Sequence, residues 1–369
     1  MKRIIVTCLI GITTLTTTAL ILPLLRQSSY VQTSNSQAEK LEQLIERAIQ
    51  QKRQYQYQES IKTFKQALAI ARKIKDRKYE AVASLNLGYV YDKIGKTQKA
   101  LEFYEKALPI WEEVGYRYRF ATTLNNIGGV YKDIGKPQKA LEFYEKALPI
   151  LKEVGYRFGV ANTLTFIALV YSDIDKPQKA LEYYEKALPI RQEVGDRFGV
   201  ATTLTLIGGV YKDIGKPKKA LEYYEKALPI RQEVGDHSGE ASTLNNIGAV
   251  YSDIDKPQKA LEYLKKALPI TQEVGNRSGE ASTLNNIGVV YWRISQPQKA
   301  LEYLEKALPI RQEVGDRSGE ASTLKDIGVV YSSIGKPQKA LEYLEKALPI
   351  KQEVGDRSGE ASTLNNIGG

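Results

Sequence analysis

The sequence predicts an all-α chain folded as an α-solenoid of helix-turn-helix units, and three observations carry that prediction. The stretch Ala121–Ile150, ATTLNNIGGVYKDIGKPQKALEFYEKALPI, returns in the same frame every 40 residues, at Ala161, Ala201, Ala241, Ala281 and Ala321. Within it the apolar residues step by three and four, as one face of a helix does. Gly135 and Pro137 punctuate its middle, where one helix ends and another begins. A fixed period in this range marks a stacked repeat. The frame extends backwards to Ala81 and, more loosely, to Leu41. That gives eight full units beginning at 41, 81, 121, 161, 201, 241, 281 and 321, and a ninth from 361 that breaks off at Gly369.

In the first helix of the unit, helix A, the buried stripe is Leu124, Ile127, Gly128, Tyr131 and Ile134. Gly135 stops it, and Pro137 takes the first position of helix B, where a missing N–H costs nothing. Helix B continues with Ala140, Tyr144, Ala147 and Val154, while Glu142 and Lys146 form an i,i+4 pair outside. Gly128, Ala140 and Ala147 are small where a neighbouring helix must come close. Pro109, Pro149, Pro189, Pro229, Pro269, Pro309 and Pro349 fall inside helix B in a recurring ALPI. Apolar residues keep helical phase past them, so the expectation is a bent helix rather than a terminated one, with the bends setting curvature. Neither stripe can be buried within one helix pair, so pairs must stack.

Counting Ala121 as position 1, the unit has Leu at 4, Ile at 7, Gly at 8, Tyr at 11, Ala at 20, Tyr at 24 and Ala at 27. This resembles the tetratricopeptide repeat across residues 41–369. The unit is longer than that family's usual length of about 34 residues, and the usual Pro at position 32 is absent. The long form, with TLNN in helix A and G-D-R-S-G-E between units, is similar to kinesin light chains and partner-of-inscuteable scaffolds. The resemblance implies a right-handed superhelix whose A helices line a concave groove for an extended peptide or partner protein. It implies no catalysis and no cofactor.

Residues 1–26 stand apart from the array. Lys2 and Arg3 precede an uncharged run, Ile4 to Leu25, of 22 residues. At about 1.5 Å per helical residue this is long enough to cross a bilayer. A signal peptide for export and an uncleaved membrane anchor both fit it. Residues 27–38, rich in Ser, Gln and Thr, read as a polar linker that contains a small-x-small site, Ser36-Gln37-Ala38. Cys8 is the only cysteine, so no internal disulfide can form. The first unit, with Gln51 in place of the stripe Tyr and Ala69 in place of the ALPI Pro, reads as a polar terminal cap.

The 53 Lys and Arg against 43 Asp and Glu raise nucleic acid as a partner. The basic residues recur at turns and on the outside of helix B, interleaved with Glu142, Glu145 and their equivalents. They form no long run and have no aromatic platform between them, so a solvated face is expected and nucleic acid is not. His237 is the only histidine and reads as a substitution in the loop between units. With one His and one Cys there is no metal cluster and no His-based nucleophile arrangement. Carboxylate pairs such as Glu112 and Glu113 sit in charge-balanced repeated positions. Asn276-Arg277-Ser278 matches a glycosylation sequon. The chain reads as non-enzymatic.

The candidate binding residues lie on the other face of helix A. At 100° per residue, positions 2, 5, 6, 9, 12 and 13 point away from the core stripe. They hold Asn125 and Asn126, Asn245 and Asn246, Asn285 and Asn286, and Asn365 and Asn366. An asparagine row can bond a peptide backbone without demanding its sequence. Position 6 also serves structure in ordinary repeats of this kind, so position 5 is the stronger candidate for ligand contact. Thr165-Phe166 and Thr205-Leu206 interrupt the row beside Leu169 and Gly209, an apolar stretch suited to a hydrophobic anchor. Trp292 and Arg293 add an aromatic and a charge further along. The reading is an exported or membrane-anchored interaction scaffold. Its alternatives are the recognition arm of a larger enzyme and a structural spacer. The short ninth unit, 361–369, is expected to fray: Leu364 and Ile367 can pack back on the eighth, but the helix B that should shield them is missing, and the gene is expected to continue beyond it.

Overall fold

A computed structural model describes residues 36–368, and among them every regular element is an α-helix. The all-α fold class predicted from the repeat therefore holds. The helices are α1 (36–53), α2 (Tyr57–Ile74), α3 (Arg77–Lys93), α4 (Thr97–Glu113), α5 (Arg117–Asp133) and α6 (Pro137–Glu153). There follow α7 (Arg157–Asp173), α8 (Pro177–Glu193), α9 (Arg197–Asp213), α10 (Pro217–Glu233), α11 (His237–Asp253) and α12 (Pro257–Glu273). The last are α13 (Arg277–Arg293), α14 (Pro297–Glu313), α15 (Arg317–Ser333), α16 (Pro337–Glu353) and α17 (Arg357–Gly368). Odd numbers are A helices and even numbers B helices.

The expected signal or anchor at 4–25 and Cys8 lie outside the described residues. Among the described residues no helix is long and apolar enough to cross a membrane. Of the expected linker 27–38, residues 36–38 belong to α1 and the rest lies outside the described residues.

The chain divides inside α7 into two compact units, one up to Val170 and one from Tyr171. In the first, Leu41, Ile45, Phe64, Leu87, Tyr104, Trp111 and Ile127 are buried in one continuous core. In the second, Ala241, Leu244, Ile247 and Val250 of α11 are buried, as are Ala260, Leu264 and Ala267 of α12. Each A helix there also touches the next A helix, as α11 does α13. Burying such stripes between neighbours is what holds a stack of marginal helices together.

Local signals account for the helix ends. Gly135 has φ of 68°, the left-handed region that glycine enters without strain. Its N–H donates to Lys132 O at 2.9 Å and the following Lys136 N–H to Tyr131 O at 2.8 Å, the paired bonds that close a helix. Pro137 then occupies the first turn of α6, as expected. Helix A begins four residues before the frame drawn from sequence. The expected inter-unit segment G-D-R-S-G-E is mostly helix, because its Asp caps the first turn: Asp316 Oδ1 accepts from Gly319 N–H at 2.9 Å. Such a cap contributes about 1 kcal/mol. His237 is accordingly the first residue of α11, not a loop residue.

A Cβ added at Gly128 would stand 2.6 Å from the Tyr144 ring, so this glycine is where α5 and α6 approach. At Gly248, Gly288 and Gly328 a leucine, Leu264, Leu304 or Leu344, takes the tyrosine's place. Each B helix from α4 to α16 runs unbroken through its ALPI proline, as α6 does through Pro149. The first turn of helix A is fastened to the last turn of helix B by Arg117–Glu153 at 2.5 Å, and by Arg277–Glu313 and Arg317–Glu353, each at 2.8 Å. These pairs are largely exposed and contribute a few tenths of a kcal/mol each.

The final segment opens on the same cap as its predecessors. It is helix from Arg357 to Gly368, started by Asp356 accepting from Gly359 N–H at 2.8 Å. Leu364 is 48% exposed, against 3% for its equivalent Leu324, and Ile367 is half-buried. The buried contact is Thr363.

Candidate functional site

The core face of helix A is wider than the sequence stripe. Position 3 is fully buried, with Thr123, Thr163, Thr203, Thr243, Thr283 and Thr323 turned inward. Each such hydroxyl can bond the carbonyl four residues back, as Thr163 Oγ1 does to Gly159 O at 2.9 Å. That rotation brings position 5 close to the neighbouring A helix.

In the unit up to Val170, Asn125 is only 7% exposed, and its Nδ2 donates to Thr163 Oγ1 at 2.7 Å. Asn126 beside it is half-buried and, among the described residues, makes no side-chain hydrogen bond. Phe166 is half-buried with its ring centroid 5.5 Å from that of Tyr144. It is thus a lid on the core tyrosine as well as a surface group.

In the unit from Tyr171, Leu206 and the four residues Asn245, Asn246, Asn285 and Asn286 are all half-buried. Asn285 accepts from Thr323 Oγ1 at 2.8 Å and donates to Asp326 Oδ2 at 3.1 Å. Asn286 Nδ2 donates to Asn245 Oδ1 at 3.1 Å. Among the described residues, Asn246 makes no side-chain hydrogen bond. Asn365 and Asn366 are exposed.

The two positions are not alike from unit to unit: Asn286 at position 6 is bonded, while Asn245 at position 5 accepts that bond and, among the described residues, keeps its Nδ2 unbonded. Asn125 and Asn285 tie one A helix to the next, while Asn126 and Asn246 at position 6 keep their amides open. Trp292 is 36% exposed. Arg293 does not stand free as a groove charge: its Nη1 donates to Ser252 O at 2.6 Å, near the carboxyl end of α11, where the helix dipole favours a cation.

Two features lay outside the sequence reading. Lys52 Nζ donates to Asn86 Oδ1 at 2.6 Å and stands 5.0 Å from the Tyr89 ring centroid. Burial, then the neighbouring charges of Arg53 and Arg119, pull its ammonium below the usual lysine value. The second corrects the expectation that no aromatic platform accompanies the basic residues. Tyr116, Tyr118, Tyr156 and Phe158 form a chain of rings with centroids 6.5, 6.0 and 6.3 Å apart, and the first three line a cavity of about 550 Å³. Arg117, which also lines it, is paired with Glu153, and the nearby Arg119 lies over the face of Tyr118 at 5.1 Å. The signal was present in the sequence, as Tyr-Arg-Tyr-Arg-Phe where later units have Asp-Arg-Ser-Gly-Glu.

His237 is exposed, with Nδ1 3.7 Å from a Glu240 carboxylate oxygen. Among the described residues no group of three or more His, Cys, Asp and Glu is placed to hold a metal ion.

Comparison with known structures returns the same helix stacking. A Signal Transduction ATPase with Numerous Domains protein with a tetratricopeptide repeat sensor, from Pyrococcus horikoshii, aligns with TM-score 0.66 and 16% identity. The alignment covers 82% of this chain but only 46% of that one. The apo quorum sensor NprR from B. thuringiensis gives 0.65 at 17% identity, over 82% of this chain and 86% of that one. Apo RapI gives 0.63 at 18% identity, over 75% and 99%. At these identities the likeness is one of fold. No curated protein matches the chain by sequence. The family model described as Tetratricopeptide repeat matches four times, over residues 42–113, 119–193, 199–273 and 279–353. Those spans take in α2 to α16 and the position 4, 7, 8 and 11 pattern on which they are built, and the chain belongs to the tetratricopeptide repeat family.

Proposed function

We propose that the chain is a non-catalytic interaction scaffold that holds an extended peptide, or an extended segment of a partner protein, on its A helices. The observation that carries this reading is the position 6 amide of Asn126 and of Asn246. Each is half-buried and free of partners among the described residues; beside them Asn125 donates to Thr163 Oγ1 and Asn245 accepts from Asn286 Nδ2. A free carboxamide beside a fixed one offers a donor and an acceptor to a passing peptide backbone while the helix stays in place. Phe166 and Leu206 supply apolar contacts for a hydrophobic side chain, each on its own compact unit. Trp292 is an accessible ring in the second.

The test is capture and titration. Partners retained by residues 39–369 are identified, and a synthetic peptide from a retained partner is titrated against wild type and against Asn126→Ala/Asn246→Ala. Affinity should fall at least tenfold with helicity unchanged. Equal affinity in the variant would move the binding site off the A helices.

A second reading has its own support. One structural neighbour is a multidomain ATPase whose tetratricopeptide repeats are named as its sensor, and this chain spans under half of it. On that reading the array is the recognition arm of a larger enzyme. The uncharged run Ile4–Leu25 supports export or membrane anchoring of the array, and a protease-protection assay on the native full-length protein decides between them and a cytoplasmic location.

A further inference from the structure

From α8 onward the last turn of helix B carries a recurring buried cation, where the earlier units have Ala71, Trp111 and Leu151. Arg191, Arg231 and Lys351 are 6%, 7% and 4% exposed, and Arg311 stands at the equivalent place. Each pairs with the carboxylate five residues on, Asp196, Asp236, Asp356 and Asp316 respectively, which also caps the next A helix. Three of them also reach a position 2 hydroxyl of their own unit: Arg231 Nη2 to Thr202 at 3.4 Å, Arg311 Nη2 to Ser282 at 3.0 Å, Lys351 Nζ to Ser322 at 2.9 Å. The cation thus fills the corner between helix A, helix B and the following helix A.

The unit that opens at Ala241 is different. Thr271 stands where the cation should be and Asn276 where the carboxylate should be, so both charges are lost together. Asn276 still caps α13, accepting from Gly279 N–H at 2.9 Å. Thr271 is 2% exposed and spends its hydroxyl on Leu268 O at 2.7 Å. The corner has become a cavity of about 290 Å³, lined by Ser242, Thr271 and Asn276 and continuous with Asn245, Asn246 and Ser282. Ser242, Thr271 and Asn276 are the equivalents of the hydroxyl, the cation and the carboxylate found together elsewhere.

The chemistry of this cavity is neutral and two-sided. Ser242 Oγ donates to Ser238 O at 2.9 Å and receives no cation in return. Among the described residues, Asn245 Nδ2 and both ends of the Asn246 amide make no hydrogen bond. No ionised group lines the cavity. A charged guest would lose its hydration without meeting a counter-charge, whereas a guest with both N–H and C=O is matched by amides and hydroxyls. We infer that this is a binding pocket for a primary carboxamide, the side chain of Gln or Asn in a bound peptide. The inference deepens the peptide reading and rests on it for the origin of the side chain. The space is ample: at about 30 Å³ per water, it corresponds to several water volumes.

The test uses capped single amino acids, so it does not depend on finding the natural peptide. N-acetylglutamine methylamide, N-acetylarginine methylamide and N-acetylglutamate methylamide are titrated in turn into the 15N-labelled full chain. The readouts are the amides of Ser278 and Gly279 and the side-chain NH2 of Asn246. The control is Thr271→Arg/Asn276→Asp, which rebuilds the ion pair used in neighbouring units and therefore keeps the fold, checked by circular dichroism. The glutamine compound should give saturable shifts at these three groups that weaken at least tenfold in the control, with no such shifts from the charged compounds. Equal shifts in the control, a preference for either charged compound, or no response from glutamine would overturn the assignment. Glutamine binding here together with unchanged peptide affinity in the Asn126→Ala/Asn246→Ala variant would support the pocket and refute only the A-helix peptide reading.

Discussion

The buried ion pair between Arg231 and Asp236 can be taken apart one partner at a time. Their side chains are 8% and 15% exposed, and Asp236 also accepts from Gly239 N–H at 2.9 Å. Arg231→Thr leaves the carboxylate buried without its cation, a loss of about 3–5 kcal/mol for a fully enclosed pair. The retained cap bond and the residual exposure place the expected cost near the lower bound, about 3 kcal/mol. Asp236→Asn keeps the cap, as Asn276 does, but strands the guanidinium, at about 2 kcal/mol. The double variant recreates the Thr–Asn combination that the chain carries at 271 and 276. Neither charge is then stranded, and its cost should fall below the sum of the singles by about 2 kcal/mol. Native-state amide exchange across α10 and α11 reads this locally, which a global melt of a repeat array does not. At about 1.4 kcal/mol per tenfold, protection should fall roughly a hundredfold for Arg231→Thr. Additivity of the two singles within about 0.5 kcal/mol would refute the reasoning.

Two neighbouring glycines should respond oppositely to alanine. Gly128→Ala drives a Cβ to 2.6 Å from the buried Tyr144 ring and should cost about 1–3 kcal/mol, while Gly129→Ala meets only the Tyr144 hydroxyl at 3.7 Å and should gain about 0.5–1 kcal/mol. Thermal melts of the two variants decide it, and a stabilised Gly128→Ala would refute the close-approach account. Asn125→Ala removes the 2.7 Å bond to Thr163 and should cost about 1 kcal/mol, seen as faster exchange in α5. A neutral result would refute a structural role for that bond. Burial pushes the Asp326 carboxyl above its ordinary 3.8, against the pull of Lys325 and Asn285. A raised carboxyl stabilises fully below its unfolded value and loses that contribution as pH rises through the folded one. Asp326→Asn should therefore gain stability over wild type as pH climbs from about 4 to 7; a gap that shrinks over that range would refute the direction.

The fold was legible because each local signal agreed with the period. Gly135, Pro137 and the step from Leu124 to Tyr131 point to the same helix ends and the same buried face, and they recur with every unit. The start of helix A was misplaced by four residues because Arg-Ser-Gly reads as loop until its Asp is recognised as a cap. The contacts of the candidate binding residues were less legible. Angular arithmetic on one straight helix placed positions 5 and 6 together, but the inward-facing Thr163 draws Asn125 into the stack and leaves Asn126 out. That outcome depends on where the next helix lies, which one unit alone does not encode. Phe166 and Arg293 show the same limit, since the partners that occupy them, Tyr144 and Ser252, belong to neighbouring repeats. The Thr271–Asn276 pocket was visible as two substitutions, yet only the contacts of Arg231 and Arg311 reveal that those two positions are one site.

Asn125 reaches a residue 38 positions on, Arg293 one 41 positions back, and Arg317 a partner 36 positions on within its own helix pair. Contacts of such short reach have a genetic consequence. Unequal crossing-over between two near-identical coding repeats removes or adds a whole period and rejoins surfaces that already match. The length of the array can then drift between lineages while every surviving junction keeps its partners. A unit with individual chemistry, such as the one that opens at Ala241, can be relocated, duplicated or lost as a cassette without refounding the core. Selection on such a gene acts on which units are present and in what order, much as it acts on the words of a sentence rather than on the letters.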